Sequence, residues 1–220
     1  MSSATVTKAR RTNIYIDGFN LYFGLVAQGW RRYLWLDLHK FAESILRPDQ
    51  LLQQVNYFTS EITGPPDKLA RQRSYLAAVR TLKTVTTQRG RYESDKVSCL
   101  DCGLSMACPK CRKVWYDNNE KMTDVKIATG MLVDAFHNRY DDAILVSGDA
   151  DQKPAIEHIR KLYPSKNVYV CFPPARKSYD LQTVASGIIP VIEEHFRKSQ
   201  FDAVVTTSPG RSVTKPPSWR

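Results

Sequence analysis

Aspartates follow directly after two apolar segments of this 220-residue chain, and their positions suggest a metal site. Asp17 follows the segment NIYI, and Asp149 and Asp151 follow the segment AILVSG. Both segments have the composition of buried β-strands. Ligand sites in parallel α/β sheets lie beyond the carboxyl ends of the strands, so we expect the three carboxylates to meet. Left without a cation they would repel one another, and Mg²⁺ or Mn²⁺ prefers such oxygen ligands.

Each of these aspartates also has an ordinary structural explanation. Asp17 precedes a glycine and would suit a turn, whereas Asp149 or Asp151 would suit a helix N-cap. Asp124 is a fourth candidate ligand in the first turn of a helix predicted over 120–140, where its charge would also interact favourably with the helix dipole. From the residues alone, the helix-dipole explanation is favoured for Asp124, whereas the aspartates at the two strand ends, taken together, favour the metal site.

The elements that would position the aspartates alternate between strand and helix. Strands are predicted over 12–17, 53–60 and 143–147 and at the segment NVYVCF, with helices between them. Because the best strands are continuously apolar, they indicate a mostly parallel sheet covered by helices on both faces. The predicted fold class is therefore α/β.

The alternation suggests the organisation of the domain. One domain is predicted over residues 12–198, with a flexible N-terminus at 1–11. The segment 83–119 interrupts the rhythm and is predicted to be an insertion that begins with a hairpin around Gly90. Residues 199–220 are rich in proline, serine and basic residues, a composition that predicts a flexible basic tail.

Four cysteines within the insertion have the spacing of a structural zinc site. The segment CLDCGLSMACPKC contains two C-x-x-C motifs, formed by Cys99, Cys102, Cys108 and Cys111. Such paired motifs are typical of closed Cys₄ zinc sites, which have no open position for catalysis. A disulfide pair and an iron site are the alternatives, and the expected cytoplasmic location disfavours the disulfide.

The chain carries a formal net charge of +10, which suggests a polyanionic partner such as nucleic acid. Residues 61–113 contain eleven Lys/Arg and five Asp/Glu, and bound zinc with four thiolates would reduce that surplus of six by two. Nearby aromatic side chains would suit single-stranded nucleic acid, although they would also suit the core of the zinc module. Four basic residues are predicted to bind the substrate, namely Arg89, Arg91, Arg112 and Lys113.

The N-terminal sequence and the hydropathy suggest a cytoplasmic protein that does not contact membranes. The first eleven residues lack the apolar stretch of a secretory signal. No apolar run approaches the roughly 20 residues needed to cross a bilayer.

Three segments, in this order, resemble the NYN-domain (LabA-like) family of the PIN-like nuclease superfamily. They are YIDGFNLYFGL, EKMTDVKIATGMLVDAF and YDDAILVSGDADQKP, and the resemblance spans roughly residues 13–171 apart from the insertion. It implies a PIN-like three-layer α/β/α sandwich with an acidic metal pocket. Carried over by position, the resemblance implies catalytic roles for Asp17, Asn20, Asp124, Asp149 and Asp151, with the four aspartates as Mg²⁺ or Mn²⁺ ligands.

The same resemblance places further residues beside the pocket. Ser147 matches the tight turn before the acidic pair and is counted among the substrate-binding residues. Lys121 and Lys153 flank acidic positions, where they would contact phosphate or balance the local charge. Many members of the family carry an aromatic residue where this chain has Gln152, which leaves the packing there open.

The predicted function is a metal-dependent ribonuclease that hydrolyses RNA phosphodiester bonds, with the zinc module aiding substrate binding. The RNA preference follows from the resemblance, and the expected partner is single-stranded RNA. Two alternatives remain: a non-catalytic RNA-binding or regulatory protein on the same fold, and a structure-specific DNA nuclease. The sequence does not indicate the physiological substrate, endo- or exonuclease action, or the oligomeric state.

Overall fold

A six-stranded parallel sheet forms the centre of the computed structural model, which describes residues 9–99 and 101–219. Side chains are described throughout these ranges except at 92, 94, 95 and 117–119. The strands are β1 (Arg10–Asp17), β2 (Gln50–Thr59), β3 (Val85–Arg89), β4 (Arg91–Lys96), β5 (Tyr116–Lys121), β6 (Asp142–Val146), β7 (Asn167–Cys171), β8 (Gly187–Ile189), β9 (Val204–Ser208) and β10 (Arg211–Thr214).

Helices connect most of the strands of this sheet. They are α1 (Gly18–Ala27), α2 (Leu38–Ser44), α3 (Pro66–Val79), α4 (Thr123–Phe136), α5 (Lys153–Leu162), α6 (Tyr179–Val184) and α7 (Glu193–Lys198). Among the described residues, no helix combines the length and apolar composition that crossing a bilayer requires.

The sheet reverses its direction of growth at β1, and this reversal determines where a site can form. The strand order is β3-β2-β1-β6-β7-β8, and all five neighbouring pairs are parallel. The chain builds outward from β1 to β3 and then returns to the other side of β1 with β6. The crevice between the carboxyl ends of β1 and β6 is therefore the topological switch point.

Helices bury both faces of the sheet, as the apolar strands predicted. Ile14 and Ile16 of β1 pack in one core cluster with side chains of α1, α2 and α3. Tyr15 of β1 packs in a second cluster with side chains of α4, α5 and α6. Because successive strand residues point to opposite faces, β1 must be apolar at every position between Ile14 and Ile16. The predicted α/β class with a mostly parallel sheet is confirmed.

The insertion is shorter than predicted, because β3 belongs to the central sheet. The strand β3 pairs in parallel with β2 from Val85 to Arg89, and the predicted hairpin across Gly90 does not form. The strand β4 pairs instead with β5, in a separate antiparallel ribbon. Gly90 donates its N–H to Thr59 O at 2.9 Å, which holds the residue after β3 against the end of β2. The hairpin prediction is therefore wrong: the segment before Gly90 pairs with β2, and the segment after it pairs with β5.

Residues 199–219 are folded onto the domain, in place of the flexible tail that their composition predicted. The strands β9 and β10 pair as an antiparallel hairpin, and Trp219 is only 5% exposed. Its ring lies 6.3 Å from that of Trp35 and 6.1 Å from that of Tyr75. Burial of this indole offsets the loss of chain entropy that favours disorder in such sequences. At the other end, β1 begins at Arg10, within the segment predicted to be flexible.

Candidate metal centre

Three of the four predicted aspartates meet at the switch point of the sheet. Asp17 ends β1, Asp149 follows β6, and Asp124 lies in the first turn of α4. One carboxylate oxygen from each lies within 4.8 Å of the other two. Each aspartate comes from a different part of the chain, so only the sheet topology brings them together. The spacing is suited to a single divalent cation held by oxygen ligands.

Neighbouring polar groups fix the orientation of these carboxylates. Asp17 accepts hydrogen bonds from the backbone N–H of Asn20 at 2.9 Å and from the hydroxyl of Ser147 at 3.0 Å. Ser147 Oγ accepts in turn from the N–H of Asp149 at 3.0 Å. The Asn20 side chain accepts from the N–H of Gly148 at 3.0 Å and so joins α1 to the loop after β6. Asn20 is therefore placed to orient the pocket.

Ser147 is a correction to the predicted substrate-binding set. Its side chain is 0% exposed, and its hydroxyl is engaged by Asp17 and Asp149. A hydroxyl enclosed in this way has no free path to a substrate. Its role is to hold the two carboxylates in register.

Burial and mutual repulsion raise the pKa of two of the three carboxyl groups. Burial raises the pKa of Asp17 to about 6, against the hydrogen bonds from Asn20 and Ser147 that lower it. Burial also raises the pKa of Asp124 to about 6, with further contributions from the charges of Asp149 and Asp17. Both shifts show that the cluster favours a neutralising partner, which a bound divalent cation would supply.

Asp151 lies at the edge of the cluster, outside the group of three. Its side chain is exposed, and its N–H donates to Asp149 Oδ1 at 3.0 Å. Asp149 thus acts as the N-cap of a short 3₁₀ turn while its carboxylate also faces the cluster. The charge of Asp151 contributes to the raised pKa of Asp124, so it is close enough to act on the site.

A fifth carboxylate, Glu120, borders the centre and was not among the predicted residues. It accepts hydrogen bonds from the hydroxyls of Ser60, at 2.8 Å, and Thr123. Burial raises its pKa, and the charge of Asp124 adds to the shift. The sequence did contain a signal for Glu120, which lies only four residues before Asp124. The end of β5 leads directly into α4, so both residues lie close to the centre.

Gln152 lies buried beneath the centre, at the position where the family resemblance expects an aromatic residue. It is 0% exposed, and its Nε2 contacts the backbone oxygen of Asp124 at 3.4 Å. Its Oε1 has no hydrogen-bond partner among the described residues. The amide therefore helps to hold the first turn of α4 against the loop after β6.

The two lysines predicted beside the pocket differ in their surroundings. Lys153 forms an ion pair with Asp180, with Nζ and Oδ1 2.9 Å apart, which orients it toward α6. Lys121 is exposed at the end of β5, next to Glu120. Of the two, Lys121 remains the better candidate for a phosphate contact.

The four cysteines form two turns with the same hydrogen-bond pattern. The Cys99 N–H donates to Leu104 O at 2.8 Å, and the Gly103 N–H donates to Cys99 O at 2.9 Å. In the second turn Cys108 donates to Lys113 O at 2.9 Å, and Arg112 donates to Cys108 O at 2.8 Å. Gly103 and Arg112 occupy equivalent positions and both have positive φ, +71° and +57°.

Backbone donors also favour thiolates in these turns. The N–H groups of Cys102 and Asp101 lower the pKa of Cys99, and those of Cys111 and Lys110 lower the pKa of Cys108. All five cysteines of the chain are free thiols. Among the described residues, the group of side chains close enough to hold a metal ion is the aspartate cluster, and the cysteine sulfurs do not form a second such group.

The predicted basic residues of the insertion fall into two groups. Arg89 pairs with Glu61 at 2.6 Å, and Arg91 pairs with Glu93 at 3.2 Å. Arg112 and Lys113 are exposed, and within the described part of the chain neither forms an ion pair. They are therefore the more available charges for a polyanion.

Comparisons with known proteins agree with this architecture. The sequence model of the NYN domain family matches residues 11–193. The chain is 27% identical over 237 residues to 6-hydroxy-3-succinoylpyridine 3-monooxygenase HspA of Pseudomonas putida, a match that covers 95% of this chain and 75% of that protein. A crystal structure of a protein of unknown function from Vibrio parahaemolyticus matches with a TM-score of 0.54 at 19% identity, over 88% of this chain and 98% of that one. At that identity the likeness shows the fold alone.

Proposed function

Because this chain belongs to the NYN-domain family of PIN-like nucleases, we propose that it is a metal-dependent ribonuclease. The observation that carries the proposal is the cluster of Asp17, Asp124 and Asp149, whose oxygens lie within 4.8 Å of one another. Its place at the switch point of a parallel sheet is where such folds bind their substrates. RNA, as opposed to DNA, is the finer part of the proposal and rests on the family resemblance.

The side chains of the cluster have separable roles in this mechanism. Asp17, Asp124 and Asp149 would hold Mg²⁺ or Mn²⁺, which when bound activates water and offsets charge on the phosphodiester. Asn20 and Ser147 keep the carboxylates in place by the hydrogen bonds described above. Asp151 and Lys121 are exposed beside the cluster. Asp151 would contact water, and Lys121 would contact phosphate.

The cysteine turns support a structural zinc ion as a second part of the proposal. Cys99, Cys102, Cys108 and Cys111 supply the four thiolates that tetrahedral zinc prefers. Two turns with the same hydrogen bonds, each with backbone donors that favour a thiolate, are suited to holding one ion between them. The ion would stiffen the insertion beside the aspartate cluster.

A second candidate function comes from the relative in Pseudomonas putida. Its name describes a monooxygenase acting on a succinoylpyridine, and the match extends over 95% of this chain. A cleft rich in aromatic side chains borders the aspartate cluster and would accept such a ring. The nuclease is the better supported function, because three converging carboxylates are suited to a hard cation and the NYN family model matches the chain, whereas the ring chemistry explains neither.

The deciding experiment is cleavage of end-labelled single-stranded RNA with Mn²⁺ or Mg²⁺. We expect the wild type to cut the RNA and Asp149→Asn to lose roughly 100-fold or more, since loss even of outer-shell partners of a metal site costs about 10- to 100-fold. Asp49→Asn is the matched control, because Asp49 is exposed and precedes β2, at the amino ends of the strands and away from the cluster at their carboxyl ends.

Other outcomes would select among the alternatives. Binding of RNA without cleavage by any variant would favour the non-catalytic RNA-binding protein. Preferential cleavage of a matched DNA would favour the DNA nuclease. Oxygen consumption with 6-hydroxy-3-succinoylpyridine and a reductant, without cleavage of nucleic acid, would favour the monooxygenase.

A further inference from the structure

A cleft of about 1090 Å³ opens beside the aspartate cluster, between α1, α3 and the insertion. Eight aromatic side chains line it, from segments far apart in sequence. They are Phe19, Tyr22 and Phe23 of α1, Trp115 and Tyr116 at the end of the insertion, and Tyr57, Tyr75 and Trp219, which pack in the first core cluster. We call this surface the aromatic cleft.

Four of the aromatic residues that line the aromatic cleft are too exposed to act as core residues. Tyr22 is 37% exposed, Phe23 47%, Trp115 49% and Tyr116 50%. The rings of Phe23 and Tyr22 lie edge to face, with centroids 5.3 Å apart. Exposed rings on two separate elements leave apolar surface facing water, which marks a binding surface when the rings face one cleft. Trp115 and Tyr116 could also pack in the core of the zinc module. That alternative explains only the buried half of each residue and leaves the exposed half unexplained.

Two residues that line the aromatic cleft directly adjoin residues of the metal centre in the chain. Gly18, which lines the cleft, directly follows Asp17, and a Cβ at Gly18 would lie 2.8 Å from the ring of Tyr57. Thr59 also lines the cleft, and the next residue, Ser60, donates a hydrogen bond to Glu120 at the edge of the centre. The cleft therefore lies beside the centre, where nucleotides next to a phosphate held at the aspartates would meet it.

The charge of the aromatic cleft complements a phosphate backbone. Three basic side chains, Lys68, Arg71 and Lys113, line it, and none of the described lining residues is acidic. Arg71 pairs with Asp67 at 2.7 Å. In the part of the chain that the structure describes, Lys68 and Lys113 form no ion pair and are free to meet an anion.

We propose that the aromatic cleft stacks unpaired bases next to the scissile phosphate, so that the substrate is single-stranded nucleic acid. This inference rests on the proposed nuclease function. In a duplex the bases stack on one another and are not available to protein rings, whereas single strands present them for stacking. The volume slightly exceeds the roughly 300–1,000 Å³ of sites for one drug-sized molecule, which leaves room for more than one base.

The test measures binding of a fluorescently labelled single-stranded RNA and of an abasic strand with the same number of phosphates. All proteins carry Asp149→Asn, so that the strands stay intact. Phe23→Ala and Trp115→Ala are compared with Phe136→Ala and Tyr179→Ala, whose rings are 70% and 80% exposed and do not line the cleft. Thermal unfolding of each variant verifies that it is folded.

We expect each cleft substitution to weaken binding of the normal RNA by about tenfold, the usual effect of losing one base–aromatic stack. Binding of the abasic strand and both control variants should stay within about twofold of the parent. Equal losses on both strands, unchanged binding of the normal RNA, equal affinity for duplex, or displacement of RNA by a free pyridine ring alone would each overturn the assignment of the cleft.

The two proposals fail in distinguishable ways. A wild-type protein that neither binds nor cuts RNA would overturn the nuclease and the cleft together. A wild-type protein that cuts RNA, with cleft variants that bind like the parent, would overturn only the cleft.

Discussion

At the scale of the residue, the aspartates of the centre serve structure and chemistry together. Asp17 caps α1 by accepting the N–H of Asn20, yet it is also one of the three converging carboxylates. Asp149 caps a 3₁₀ turn in the same way. A carboxylate has two oxygens and about four acceptor positions, so capping does not consume its capacity to bind a cation. The turn and N-cap interpretations of these residues are compatible with the metal interpretation.

Removing one charge from the centre should stabilise the metal-free protein at neutral pH. A carboxyl group with a folded-state pKa of about 6 and an ordinary pKa of 3.8 favours folding below pH 4, and this contribution is lost as the pH rises through 6. We therefore expect Asp124→Asn to raise the free energy of unfolding at pH 8 by about 1 kcal/mol after allowing for its partial exposure, with little effect at pH 4. Thermal unfolding at both pH values tests this.

Asp141→Asn provides a control of opposite sign. The hydrogen bond from Arg11 lowers the pKa of Asp141 to about 2, so its contribution is present above pH 4 and lost as the pH falls through 2. That variant should lose stability at pH 8. Added Mn²⁺ should stabilise the wild type but not Asp124→Asn. A metal-free Asp124→Asn protein less stable than the wild type at pH 8 would contradict the repulsion argument.

At the scale of the element, α4 shows how packing selects among apolar faces. The helical periodicity of the sequence predicts one apolar face, formed by Val125, Ala128, Leu132, Ala135 and Phe136. Ala135 is buried as predicted, but Val125 and Phe136 are 70% exposed. Ile127 and Met131 are buried with Ala135, at a spacing of four residues. This rotation of α4 about its own axis places Asp124 at the carboxyl ends of the strands, where it meets Asp17 and Asp149.

The insertion should bind one zinc ion per chain through its two cysteine turns. We expect Cys102→Ser to lose the zinc found in the wild type, because a closed site needs all four ligands. Elemental analysis of the purified chains measures it. Cys171→Ala is the control, because Cys171 is buried in the central sheet and should leave the zinc content unchanged. Wild-type protein without zinc and with its thiols oxidised would instead support the disulfide alternative.

At the scale of the whole molecule, a net charge of +10 attracts a polyanion, but not all basic residues contribute equally. Arg89 and Arg91 are neutralised by Glu61 and Glu93. Arg112 and Lys113 carry unpaired charge within the described residues, and Lys113 lines the aromatic cleft. We therefore expect basic side chains without an ion pair to contribute more to nucleic-acid affinity than ion-paired ones, wherever they lie in the basic segment.

The salt dependence of RNA binding should reveal this difference. Replacing Arg112 and Lys113 together by alanine should reduce the slope of log affinity against log salt by about 1.4, since each phosphate contact to a single strand contributes about 0.7. Replacing Arg89 and Arg91 should change the slope less. Anisotropy titrations between low and physiological salt measure both. A larger change in the slope on replacing the ion-paired Arg89 and Arg91 would contradict this expectation.

The sequence by itself determined the parallel α/β sheet, the family, three of the carboxylates that meet, and the paired cysteine turns. Most of these depend on local patterns, because apolar runs followed by aspartate, and C-x-x-C spacings, act within a few residues of the chain. The role of Asp124 was predicted through the family resemblance. The tertiary structure alone decided the pairing of β3 with β2, the position of Glu120, the burial of Trp219 and the convergence of α1 with Trp115 in one cleft. Each of these depends on contacts between distant segments, whose partners are selected by burial and strand register and leave no periodic signal in either segment.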